Sequence, residues 1–353
     1  MLPQSWRIAT PKIIVAMSGG VDSSVAAALL KRAGFNVTGV FMKFWAGPQK
    51  GSVERWNRCC SSEAEKRART VARILGMPFY VFNFSKEFKR RIVDYFLKEY
   101  KRGRTPNPCV VCNKEIKFGL LLEKALVLDA EFVATGHYAR FQKGKLLRGR
   151  DKNKDQSYFL WQLNQKQLKH IVFPVGNYTK KEVRRLAKKF KLPTSETPES
   201  QEVCFVQNTT NEFLSRYIKE KPGRIVDSKS SVLGQHRGLP FYTIGQRKGI
   251  GLPQGPYWVE KKDLKRNLLM VTKKEKDLYK KELIFKNVNW LSGKAPKPPL
   301  KVKAKIRYRA KLASAIIYKN NKVIFDRPQR AITHGQSVVF YRGDELLGGA
   351  IIS

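Results

Sequence analysis

A short β-branched run, Lys12-Ile13-Ile14-Val15, passes directly into Ala16-Met17-Ser18-Gly19-Gly20-Val21-Asp22-Ser23-Ser24, and the rest of the chain has to be arranged around this join. The run has the length and composition of a buried strand. Val25–Leu30, rich in alanine and leucine, reads as a helix closing at Gly34. Paired glycines between strand and helix let the backbone bend tightly and come close to a ligand, while the hydroxyls of Ser18, Ser23 and Ser24 add donors to the helix-start amides. Such a turn is a phosphate cradle. It is not a Walker loop, because no lysine follows the glycines, and Asp22 would repel phosphate unless a divalent cation or an adenosine group sits beside it.

Downstream, strand and helix signals alternate. Asn36–Phe44 reads as a strand carrying Met42, and Ser61–Leu75 as a helix opened by Ser62 with Glu65 at capping-box spacing. Pro78–Phe84 reads as a strand, Lys86–Lys101 and Lys114–Val127 as helices, and Glu131–Thr135 as a strand ending in Gly136-His137. Gly47–Cys60, Gly103–Asn113 and Lys191–Gln201 read as breaks. Tyr138–Arg150 looks like a hairpin turning at Lys143-Gly144. Asp155–Leu163 and Thr179–Phe190 read as helices, the second with Thr179 and Glu182 at capping-box spacing. This rhythm predicts an α/β fold with a doubly wound parallel sheet and a ligand site outside the carboxyl ends of its strands. Past about residue 208, recurring glycine and proline and short alternating runs predict smaller β-rich domains. The expected division is 1–208, a small β-rich central domain over 209–282, and a C-terminal β-barrel over 283–353.

Lysine and arginine number 70 against 28 acids, a formal charge of +42, which makes a polyanion the natural partner and nucleic acid the first candidate. Lys301, Lys303, Lys305, Arg307, Arg309 and Lys311 fall on every second residue, so a continuous strand would project all of them from one face as a phosphate-tracking stripe. Of the five cysteines, Cys59 and Cys60 are adjacent, Cys109 and Cys112 are spaced CxxC, and Cys204 stands alone. The odd count and the lack of a secretory apolar segment in Met1–Thr10 predict a reducing, cytoplasmic setting. No apolar run approaches membrane-spanning length. A CxxC fits a redox pair, half a zinc site or two ligands of an iron–sulfur cluster. Adjacent Cys59-Cys60 are poor geometry for completing a zinc site.

The Ser-Gly-Gly-x-Asp-Ser pattern resembles the loop of the N-type ATP pyrophosphatases. With Phe41-Met42-Lys43, Thr105-Pro106-Asn107-Pro108, Cys112–Phe118, Ala134–Tyr138, Lys154–Leu160, Cys204-Phe205 and Gly245–Gly249 in this order, the chain from about residue 11 onward resembles the tRNA-specific 2-thiouridylase (MnmA) family. The resemblance implies a monomer that adenylates the C2 oxygen of the wobble uridine with ATP and Mg2+ and replaces it by sulfur. The sulfur would come from a persulfide-donating relay protein or a cysteine desulfurase. It places ATP on Ala16, Met17, Ser18, Gly19, Gly20, Val21, Asp22, Ser23, Met42 and Gly136. Asn107, Pro108 and Cys109 would touch the target base. His137, Lys154, Asp155, Gln156, Arg307, Tyr308 and Gln336 would touch tRNA. Cys204 would carry the persulfide, with Cys112 as partner thiol, either releasing the sulfur as nucleophile or closing a disulfide with Cys204.

One position departs from the family pattern, which commonly reads Asn-Pro-Asp where this chain has Asn107-Pro108-Cys109. A thiol has a higher unperturbed pKa than a carboxyl, so the general-base role open to an aspartate does not pass to Cys109. The change gathers Cys109, Cys112 and Cys204 into a set that could instead hold a [4Fe-4S] cluster. An amide-forming ligase with the same loop would need neither thiols nor a basic stripe. A non-catalytic RNA-binding protein would need no pyrophosphate release.

Overall fold

The structure, a computed structural model, describes residues 11–48, 55–56, 60–198 and 203–353. Cys59 lies outside them. Strand β1 (Lys12–Ala16) leads through the glycine turn into helix α1 (Val21–Arg32), followed by β2 (Asn36–Lys43), α2 (Ser62–Ile74) and β3 (Phe79–Asn83). Helix α3 (Pro108–Cys112), β4 (Phe132–Ala134), β5 (Ala139–Gln142), β6 (Lys145–Arg148), β7 (Ile171–Val172) and α4 (Lys180–Lys189) follow. The first sheet has the order β3-β2-β1-β4-β7 and is parallel throughout. Its strand order reverses between β1 and β4. That reversal is where open parallel sheets form their ligand crevice, and the turns after β1 and β4 both open there.

The sheet is buried on both faces, as β1 requires with Ile13, Ile14 and Val15 at 1% exposure or less. One face packs on α1, α2 and α4. The other packs on a helical layer that includes Phe88, Phe96, Cys112 and Ile116.

Several sequence expectations move. Helix α2 is capped by Ser61, whose hydroxyl accepts from the Ala64 amide, one residue before the expected Ser62. The break expected over Gly103–Asn113 ends early: proline in the first turn, with its φ preset for helix, starts α3 at Pro108. The helix continues through a π-helical stretch, Asn113–Leu120, into Leu121–Val127, so both thiols of the CxxC sit in its first turns. The helix expected over Asp155–Leu163 is only a 3-10 turn, Ser157–Phe159. Here the Asp155 carboxylate takes the amides of Gly149 and Ser157, and Tyr158, Leu160, Trp161 and Leu163 are all buried, leaving no polar helix face.

The β5–β6 hairpin turns at Lys143-Gly144, both at positive φ. It leaves the parallel sheet and adds to the C-terminal one by pairing Leu147 with Glu345. A four-stranded central sheet has the order Val232–His236, Gly223–Val226, Leu268–Thr272, Trp258–Asp263. C-terminal to it, Tyr279–Trp290 pairs with both Lys322–Arg330 and Glu345–Ile352, closing a six-stranded barrel.

The basic stripe is not one face of one strand. The strand ends at Lys305, so Arg307, Arg309 and Lys311 lie in the bend and loop beyond it. Lys301 and Lys303 are exposed, whereas Lys305 is buried, and the Arg307 guanidinium donates inward to the carbonyls of Arg330 and Ala331.

Candidate functional site

The turn after β1 is braced from several sides. Gly19 sits at φ +72 with the Ala64 carbonyl so close that an added Cβ would lie 2.2 Å from its oxygen. Arg67 of α2 donates to the Gly19 carbonyl at 3.1 Å. Ser23 accepts from the Ser18 amide and donates to the Gly20 carbonyl, and Ser24 donates to that carbonyl as well. The Ser23 and Ser24 hydroxyls therefore hold the turn rather than extend it toward a ligand. What remains for an anion is the start of a 12-residue helix and its backbone donors. Gly136, after β4, packs so tightly on α1 that an added Cβ would lie 2.6 Å from the Ser23 nitrogen.

Asp22 is the charged centre of this turn, and its partners are distant in sequence. Lys180, the first residue of α4, donates to both carboxylate oxygens at 2.7 and 2.8 Å, and the Tyr138 hydroxyl donates to one of them at 2.7 Å. The lysine side chain is 11% exposed and the carboxylate 32%. Lys180 thus places a charge of the chain itself beside Asp22, where the sequence called for a divalent cation or an adenosine group. Among the described residues no three His, Cys, Asp or Glu side chains come together to hold a metal ion.

These groups line a cavity of about 1430 Å³. Ala16–Ser23, Met42 and Gly136 form one end. Asn107, Pro108, Cys109, Cys112, Cys204, His137, Lys154, Asp155, Gln156, Tyr308 and Gln336 also line it. Arg307 is the one expected site residue that does not. Cys112 is buried, Cys204 half-buried and Cys109 exposed. Cys112 and Cys204 share one apolar cluster, but with Cys109 they do not form a metal-holding group, so the ligand set expected for an iron–sulfur cluster is not assembled.

Some expected nucleic-acid contacts are committed elsewhere. The Asp155 carboxylate, 2% exposed, is engaged by Arg148 and two amides, and the Gln156 side-chain Oε1 accepts from the Tyr138 amide. Their contribution is to hold the 149–157 loop. His137 bonds Thr135 at 2.7 Å among Phe118 and Phe173, and burial pushes its pKa well below the usual range, leaving the ring neutral. Burial likewise lowers Lys305, which lies over the Tyr308 ring, while Asp155 pulls the other way.

Sequence reading missed Lys180, Arg67 and Phe159. Lys180 had only its place inside a capping box, and Arg67 only its place on a helix face. Phe159, with its ring 4.5 Å from Tyr308, gives the cavity an aromatic wall. Lys117, Arg148, Lys152, Lys154, Arg309 and Lys311 make the lining strongly basic.

A doubly wound sheet with a glycine turn at its switch point, joined to a small β domain and a barrel, defines a nucleotide-binding enzyme class with two appended β modules. Comparison narrows the class. The family model described as tRNA methyl transferase HUP domain matches residues 11–208, its PRC-barrel domain 211–273, and the aminomethyltransferase beta-barrel domain 280–352. The chain is 48% identical to a tRNA-specific 2-thiouridylase MnmA 2 of Thermoanaerobacter sp. (strain X514), covering 97% of each chain. It is 50% identical to MnmA 1 of Caldanaerobacter subterraneus subsp. tengcongensis, again over 97% of each, and 48% identical to MnmA of Carboxydothermus hydrogenoformans over 98% of each. The chain belongs to the MnmA family of tRNA-specific 2-thiouridylases. Solved structures overlap it in part: a 4-thiouridine synthetase–RNA complex with bound ATP aligns over 53% of this chain and 43% of that one, with 20% identity and a TM-score of 0.36.

Proposed function

We propose that this protein thiolates C2 of the wobble uridine in tRNA, with ATP as activator and a persulfide on Cys204 as the sulfur source. One observation carries the reading: a single basic cavity holds the glycine turn, both thiols and an aromatic wall. Methyl transfer, which the family-model descriptions mention, would leave the two thiols and the phosphate turn without a task.

ATP would place its phosphates at the start of α1, with adenine against Met42 and Gly136. The uridine, taken out of its stack, would enter between Asn107–Cys109 and the Phe159–Tyr308 wall. Its C2 oxygen attacks the α-phosphorus and pyrophosphate leaves, turning a poor leaving group into AMP. The terminal sulfur of the Cys204 persulfide attacks C2 and AMP departs, leaving a C2–S–S–Cys204 bond. The Cys112 thiolate then attacks Cys204 Sγ, releasing thiouridine and closing a Cys112–Cys204 disulfide that a thiol reductant must reopen. Surrounding lysines favour the ionised sulfur in each step. His137, held neutral, adds no positive charge. Lys154 and Tyr308 would meet the tRNA at the cavity lining. The sulfur reaches Cys204 from a persulfide-carrying protein, and a reducing cytoplasm suits the thiols.

The test is thiolation of unmodified tRNA by iron-free protein with ATP, Mg2+, a persulfide donor and a thiol reductant. The expected result is product formation, abolished in Cys112→Ser and Cys204→Ser and retained in Cys109→Ser. Activity that requires iron and is lost in Cys109→Ser would replace the persulfide by a cluster. Pyrophosphate release indifferent to tRNA would overturn the substrate.

A further inference from the structure

The segment leading to the target-base position is held by the other two domains, residue by residue. The Thr105 amide donates to the His334 carbonyl at 2.9 Å. Gln336 Nε2 donates to the carbonyls of both Thr105 and Pro106, at 2.9 and 3.2 Å. Gly335, at φ +90, lies so close that an added Cβ would be 3.0 Å from the Thr105 oxygen. The Tyr158 hydroxyl donates to the Ser337 carbonyl at 2.9 Å. From the central domain, the Thr243 hydroxyl pairs with that of Thr105 at 3.1 Å, and Leu264 closes over Gly103. One turn of the barrel, His334–Ser337, therefore touches Thr105 and Pro106.

We infer that Gln336 is a positioning residue: its amide clamps the Thr105 and Pro106 carbonyls and so fixes where Asn107–Cys109 meets the target base. The resemblance gave Gln336 a contact with tRNA, but both of its amide hydrogens have a backbone acceptor within the protein. Two bonds from one planar amide to successive carbonyls set the direction of the chain where it enters α3, whose second turn carries Cys112. The inference rests on the reading of Asn107–Cys109 as the segment beside the uridine.

The experiment compares Gln336→Glu and Thr243→Val with the parent chain. Glutamate keeps the shape but cannot donate, and Thr243 lies outside the cavity lining, so its effect must pass through Thr105. With the melting temperature as a check on folding, thiolation kinetics give kcat and KM for tRNA, and hydrogen exchange follows the amides of Asn107–Val111. The expected result is a kcat lowered about 10- to 100-fold in Gln336→Glu, as a small misplacement near the reacting atoms produces. KM for tRNA stays within about twofold, and exchange at 107–111 is faster in both variants. A raised KM with unchanged kcat and unchanged exchange would make Gln336 a tRNA contact and overturn the inference, as would no change in any readout. If the parent chain fails to thiolate tRNA, the proposed function falls, and the exchange rates alone still decide whether Gln336 holds the segment.

Discussion

At the scale of single residues, the decisive contact is between Asp22 and Lys180. An acid in a phosphate-binding turn is tolerable only when its charge is offset, and Lys180 offsets it with bonds to both oxygens. Removing the lysine leaves a one-third-exposed carboxylate facing incoming polyphosphate. Lys180→Met is expected to weaken ATP binding about 10- to 100-fold, or roughly 1.4 to 2.8 kcal/mol. Asp22→Asn placed on top of it should restore part of that loss. Calorimetric titration with a non-hydrolysable ATP analogue measures both, and equal losses in the single and double variants would show that Lys180 acts on the nucleotide independently of Asp22. The sequence disclosed the turn and its aspartate because they are local. It hid the lysine because the pair spans 158 positions and lysine is abundant throughout this chain. The sequence likewise did not show that Asp155, which lines the cavity, also braces its loop through burial and two backbone amides.

At the scale of elements, what the sequence made legible was what short-range chemistry dictates. The capping box at Thr179 and Glu182, the hairpin turn at Lys143-Gly144 and the strand–turn–helix at β1–α1 all stand as read. Longer-range features were less legible. The basic stripe assumed a strand through Lys311, but the strand stops at Lys305 because the chain bends there to bring Tyr308 and Arg309 to the cavity. The helix carrying the CxxC looked like a loop because its prolines mark both an irregular approach and a helix start. The β1–α1 turn also depends on a second element, since Gly136 at the end of β4 lets α1 approach within contact of the backbone. Gly136→Ala would drive a Cβ to 2.6 Å from the Asp22 carbonyl carbon and the Ser23 nitrogen, neither of which can move aside alone. The expected outcome is loss of ATP binding by at least about tenfold with secondary structure retained by circular dichroism, the displacement being confined to the turn. Undiminished nucleotide affinity would mean that the start of α1 is not the anion site.

For the whole molecule, the catalytic domain and the barrel share a core, so they are expected to fold and unfold as one body. Val110, on the same helix as Cys112, packs in one cluster with Phe118, Tyr158 and Trp161 from its own side and with Leu291, Val339, Tyr341 and Leu346 from the barrel. Trp161 is the centre of the exchange: it is 1% exposed, donates to the Ser337 hydroxyl at 3.0 Å, offers its carbonyl to Asn289, and fits against Gly349, where no side chain would be admitted. The β5–β6 hairpin adds a strand pairing across the same boundary. The sequence placed domain boundaries near residues 208 and 283, and burial of this kind couples the first domain to the last, because either alone would expose a large apolar face. Trp161→Ala should cost about 3 to 5 kcal/mol through the cavity it leaves. Because the cost falls on a shared core, the calorimetric transition should move down without splitting, and hydrogen exchange should rise together in Phe132–Ala134 and Ser337–Arg342. Two resolved transitions, with protection of Ser337–Arg342 intact in the first, would show that the barrel stands alone. The clamp that Gln336 places on the target-base segment would then be a docking contact between independent bodies rather than part of one rigid frame.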